Sequence, residues 1–219
     1  IIKAALEFCE CPLSSAEGQA VFLRYSNLKK SLVTPSFLAL SQGERAEKIL
    51  STMYEKVLVA YKDGQTRINV TFADGSYNCV SSSVLYLALA KASALDVRGQ
   101  VTPNHAFCTL YVTDGSAGAK NKVDVETTNP YGFDPGSKRN VQENSNGGQR
   151  YTIVPKRNYI GRYEVEDKIF VSLIGNNVAA DYDKAGNWYK SVPMAGACVA
   201  FTQGCKDSSN RNREGFETA

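Results

Sequence analysis

The chain has 219 residues, 43% of them hydrophobic and 21% charged, with a formal net charge of +3. That balance excludes disorder as the default and gives enough apolar residues for one generous domain, or a domain with a short appendage. The basic residues gather only in short clusters (Lys138-Arg139, Lys156-Arg157, Arg211 to Arg213) without interleaved aromatics, so a nucleic-acid partner is not expected.

In chain order, Ser14-x-x-Glu17 predicts a capped helix running to about Lys30. Ser41-x-x-Glu44 predicts a second, to about Tyr61, with Ile49, Met53, Val57 and Leu58 at helical spacing. Turn signals at Lys62-Asp63-Gly64 and Ala73-Asp74-Gly75 enclose a β-like run from Arg67 to Phe72. Asn78 is a good N-cap for a helix that is apolar nearly all round, which predicts a buried central helix with Cys79 in its first turn. Its longest apolar run, Val84 to Ala90, is stopped by Lys91, far short of the ~20 residues a bilayer span needs, so no membrane span is expected.

Residues Val97 to Val101, His105 to Thr113 and Lys122 to Thr127 read as strands, and Tyr151 to Val154 as one more. Thr128 to Gln149 is rich in Asn, Pro, Gly and Ser and predicts a long surface loop. Two helices joined near Ala185-Gly186-Asn187 are expected between about Glu166 and Gly204. Helices, then a small antiparallel sheet, then a helical hairpin make the fold class α+β. The expected organisation is a core over 1–165 and a helical tail over 166–219.

Cys79 and His105 are the chemical signal. A thiol at a helix N-terminus meets the positive end of the macrodipole and unsatisfied N–H groups, both of which favour thiolate. His105 is the chain's single histidine, so any Cys-His mechanism must use it. It begins a strand on whose face Phe107 and Thr109 also lie, whereas Cys108 faces the other way and reads as core. A two-residue turn at Asp114-Gly115 would set Asp124 directly across from His105, in position to orient the imidazole. A different register would leave Glu126, two residues on and on the same face, as the fallback. Six cysteines are too few for a disulfide scaffold, and a zinc site on Cys9 and Cys11 would lack partners. Neither metal nor cofactor is expected.

The run Tyr77-Asn78-Cys79-Val80-Ser81-Ser82-Ser83, then His105-Ala106-Phe107, then Val123-Asp124-Val125, resembles the transglutaminase-like superfamily of papain-fold cysteine enzymes. The order Cys, His, Asp and the spacings of 26 and 19 residues suit that core. The resemblance implies a papain-like fold with Cys79 as nucleophile, His105 as general base and acid, and Asp124 as orienting carboxylate. Leu173-Ile174-Gly175-Asn176-Asn177-Val178-Ala179 followed by Tyr182-Asp183-Lys184-Ala185-Gly186-Asn187-Trp188 resembles bacterial members that continue into tetratricopeptide-like helices. The implied activity is cysteine-dependent amide hydrolysis, as a peptidase or amidase on a protein or peptide. The alternatives are a protein-crosslinking acyltransferase and an idle papain-like scaffold whose tail binds a peptide or protein partner. A leader removed ahead of Ile1 would place such a protein in the periplasm or outside the cell. In the tail, Tyr182, Trp188 and Tyr189 are expected near the contact with the core.

Overall fold

The computed structural model describes residues 1–113, 120–135, 151–152 and 154–205. Four helices lead. The first, α1, spans Ile2–Phe8, and α2 (Ala16–Leu32) starts one residue later than the capping box predicts: Ser15, not Ser14, accepts the Gly18 N–H at 3.0 Å. A short α3 (Pro35–Leu38) follows, with Thr34 as cap and proline at its first position, where the missing N–H costs nothing. In α4 (Gln42–Lys56) the predicted capping box is complete, since Ser41 and Glu44 each accept the other's backbone N–H.

Helix α4 ends at Lys56, short of the expected Tyr61. The N–H groups of Val59 and Ala60 turn instead to the Gly75 carbonyl, at 2.9 and 3.3 Å. This sets β1 (Ala60–Tyr61) parallel to β2 (Ser76–Tyr77). The intervening run is not the strand expected over Arg67 to Phe72 but a helix, α5 (Ile68–Asp74). Its buried positions, Ile68 and Thr71, are three apart rather than alternating, and Gly75 closes it at φ +78°, a conformation that a side chain would strain.

Helix α6 (Cys79–Ala92) is the centre of the molecule, with every residue from Val80 to Ala90 buried. It packs against α4, α1 and one face of a four-strand antiparallel sheet of β3 (Val97–Thr102), β4 (His105–Thr113), β5 (Lys120–Val125) and β6 (Tyr163–Val165). The strand order is β5-β4-β3-β6. Residues 151, 152 and 154 form no strand, so the one expected from Tyr151 to Val154 is absent among the described residues; the sheet's edge is β6, brought in after a 3-10 turn over Lys156–Tyr159. The Asp114-Gly115 turn and most of the predicted 128–149 loop lie outside the described residues.

The chain ends in a helical pair, α7 (Asp167–Lys184) and α8 (Trp188–Thr202), in contact with each other. Phe170, Val171, Ile174 and Val178 of α7 are buried against α1, α6 and β3. On α8 the inward stripe is Ser191, Met194, Cys198 and Phe201, at helical spacing. That rotation corrects one expectation: Tyr182 is half-buried and bonds Glu10, but Trp188 and Tyr189 point outward, 63% and 95% exposed. No helix among the described residues is long and apolar enough to cross a membrane.

Candidate active site

The N-cap of α6 is built twice over. Asn78 Oδ1 accepts the N–H groups of Val80 and Ser81, each at 3.0 Å, and Ser81 Oγ accepts the Asn78 N–H at 3.0 Å. Cys79 is the first helical residue, with the N–H groups that Asn78 takes lying beyond its own. Its side chain is half-buried, whereas Cys9, Cys11, Cys108 and Cys198 are buried. Burial pushes the Cys9 thiol up to about 11 and the Cys108 thiol up as well, which makes both inert near neutral pH. Helix terminus and access together single out Cys79.

His105 Nε2 lies 2.6 Å from Glu126 Oε2, and both side chains are only 4% exposed. Cys79 is the other group that acts on the ring, and since Nε2 belongs to Glu126, Nδ1 is the nitrogen left open on the imidazole. Burial alone would drive the imidazole pKa down. The bonds to Cys79 and Glu126 and their charges outweigh burial and raise it to about 10. The balance favours the protonated ring, set between a sulfur and a carboxylate.

Glu126 is saturated with donors. Its Oε2 also accepts the Tyr159 hydroxyl at 2.7 Å, and its Oε1 accepts the Thr128 N–H at 3.1 Å and the Thr128 hydroxyl at 2.7 Å. The backbone that carries it is clamped as well. Thr127 Oγ1 meets Ser82 Oγ at 2.8 Å and Ser83 Oγ at 2.6 Å, and its carbonyl accepts the Tyr54 hydroxyl at 3.0 Å. Ser83 also reaches the carbonyl of Ala106, next to His105. The Glu126 N–H donates to the Gly132 carbonyl at 2.8 Å, and a Cβ on Gly132 would fall 1.9 Å from the Glu126 carbonyl, so glycine alone fits there. Helix α6, strand β4 and the segment after β5 are thus locked where the thiol, imidazole and carboxylate must meet.

Asp124 is not the carboxylate that meets His105. The strands pair from Thr113 opposite Lys120, which sets Asp124 opposite Thr109, four residues along β4 from the histidine. There it accepts the Thr109 hydroxyl at 2.8 Å and forms a two-pronged ion pair with Arg162, at 2.5 and 3.0 Å. The expected register assumed a two-residue turn, and residues 114–119 all lie between the paired strands. Because the shift is even, Asp124 and Glu126 keep the expected face, and the fallback carboxylate is the one brought to the ring.

Two polar side chains near the cap are committed elsewhere. Gln65 Nε2 donates to the carbonyls of Arg67 and Ser76, and Asn78 Nδ2 to that of Asp63. Tyr61, half-buried close to Cys79, donates its hydroxyl to Asp63 at 3.2 Å. Sequence reasoning missed Thr127, Thr128 and Tyr159. For Thr127 a signal existed in Ser81-Ser82-Ser83, three hydroxyls in an otherwise apolar buried helix that must find partners. For Tyr159, 33 residues from Glu126, none did. No group of three or more His, Cys, Asp or Glu among the described residues could hold a metal ion. No protein-family model matches the chain, and no curated protein matches it.

Proposed function

We propose that this chain is a cysteine-dependent amide hydrolase of the transglutaminase-like, papain-fold type, with Cys79 as nucleophile, His105 as general base and acid and Glu126 as the orienting carboxylate. The observation that carries the reading is the convergence of a helix-terminal thiol with a buried imidazole that is hydrogen-bonded to a buried carboxylate. In the first step the Cys79 thiolate adds to the substrate carbonyl carbon. The developing oxyanion faces the N-terminus of α6, where the Cys79 N–H and the helix dipole stabilise negative charge. Collapse breaks the C–N bond, and His105 gives its proton to the departing amine. The thioester is then cleaved by water, from which His105 takes a proton, and the thiolate is restored. Glu126 holds the ring in one tautomer and rotation throughout.

Alkylation with iodoacetamide at pH 6, with the modified peptide identified by mass spectrometry, tests the reading. Cys79 should be modified at pH 6, while the buried thiols of Cys9 and Cys108 are not. Cys79→Ala should abolish cleavage of a labelled peptide library while leaving the melting temperature close to that of the parent. Reaction of Cys79 only as the pH approaches that of an ordinary thiol would refute it.

A further inference from the structure

The carboxylate of Glu126 can turn about its last torsion, for which the preference is broad. Something must therefore choose which oxygen faces His105. Thr128 holds Oε1 with its N–H and hydroxyl, and Tyr159 donates to Oε2, the same oxygen that receives His105 Nε2. The tyrosine ring also packs edge-on against His105, centroids 6.0 Å apart, and against Phe107, 5.0 Å apart. It walls the pair off on that side. We infer that Tyr159 is a positioning residue for the proposed cysteine chemistry, fixing the rotation of the Glu126 carboxylate and excluding water from the His105–Glu126 pair. The inference rests on the triad reading given above.

Three further observations bear on it. Burial and the neighbouring Glu126 hold the Tyr159 proton in place well above the usual phenol range, so the hydroxyl is a permanent donor. Tyr159 closes the 3-10 turn over Lys156–Tyr159, and Arg162, three residues on, anchors that segment to β5 through Asp124 while its guanidinium lies 5.1 Å over the Phe107 ring. The carboxylate rejected as orienting group thus secures the residue that orients its replacement. The other titratable or charged groups near the pair are Cys79 from α6, Tyr61 from β1, and Asp124 and Arg162, with Cys108 on the opposite face of β4.

The test uses Tyr159→Phe in the full chain, with two readouts that a merely structural role would not move. One is the pH profile of Cys79 alkylation. Loss of the hydroxyl should loosen the imidazolium and move the midpoint to higher pH by about half a unit to one unit, a three- to tenfold slower reaction at pH 6. The other is the downfield proton resonance of the imidazole N–H, unambiguous because the chain has a single histidine. It should shift and exchange faster with water. If Tyr159→Phe does not fold, site-specific 3-fluorotyrosine at 159 replaces it; the more acidic phenol holds the Glu126 carboxylate more firmly and should shift the alkylation profile the opposite way, with slower exchange of the imidazole proton. A variant profile that superposes on the parent's, with an unmoved proton, overturns the inference and leaves the triad standing. A parent protein with neither acid-side alkylation nor a downfield proton overturns the triad reading, and this inference with it.

Discussion

The outer face of the sheet has two ends built from the same chemistry with opposite consequences. At one end, cations and carboxylates meet in the open: Arg162 with Asp124, their side chains 34% and 27% exposed, and Arg98 with Glu164, 38% and 29% exposed. At the other, His105 and Glu126 form a single pair at 4% exposure, closed in by Tyr159 and Thr128. Water screens the first kind of pair, which is worth little, ~0–1 kcal/mol. The second carries a desolvation cost that an apolar pair of the same shape would avoid. A fold that needed only stability would not bury an imidazolium and a carboxylate together beside a thiol. On the proposed reading, the difference marks where the sheet would serve chemistry rather than cohesion.

The comparison breaks most visibly at Glu126. Glu126→Gln keeps the shape and removes the charge, so the imidazole loses its counter-ion, and Cys79 alkylation at pH 6 should fall about a hundredfold or more, with a matching loss of any peptide cleavage. A loss of twofold or less would mean that the pair is structural.

How the two carboxylates were told apart shows what a sequence can carry. Cys79 at the head of α6 is legible because capping is local: Asn78 and an apolar run suffice. The alternation of β4 and β5 put Asp124 and Glu126 on one face, and that parity held. Which of them meets His105 depends on how many residues separate the strands, a non-local quantity that Asp114-Gly115 suggested wrongly. Tyr159 is illegible for the same reason, since its contact with Glu126 spans 33 residues of sequence. The helix α5 was misread because Val70, Thr71 and Phe72 favour strands, while the cue of Gly75 as a left-handed cap was taken for a plain turn. Trp188 and Tyr189 are expected near the contact with the core, yet the buried stripe of α8 runs through Ser191 and Cys198.

The clamp beneath the site should give the next largest effect. Thr127→Val deletes the hydroxyl that Ser82 and Ser83 share, both fully buried, and should cost about 1–3 kcal/mol in urea unfolding for the partners left unmade. An unchanged midpoint would show that water or a rotated serine replaces the bond.

The pH dependence of stability sharpens the contrast between the two ends. The folded-state pKa of His105 is raised to about 10 from an ordinary 6.5, so its contribution is complete below about 6.5 and is lost as the pH rises through about 10. Thermal melts between pH 7 and 10.5 should decline more steeply in the parent than in His105→Gln. Parallel curves would contradict the assignment.

The smallest effect is expected at the exposed end. Asp124→Asn weakens the pair with Arg162 and should change stability by no more than ~1 kcal/mol. Cys79 alkylation should stay within about threefold of the parent, reflecting only the loosened anchor of the Tyr159 segment. A loss comparable with that of Glu126→Gln would erase the distinction between the two ends.

The central claim is that His105 stands as an imidazolium between Cys79 and Glu126, and one titration tests it most directly. With a single histidine in the chain, the nitrogen shifts of its ring can be followed by NMR from pH 5 to 11 without assignment ambiguity. The account predicts a ring protonated at both nitrogens through neutral pH that titrates near 10. A ring that loses its proton near the ordinary 6.5 would contradict it.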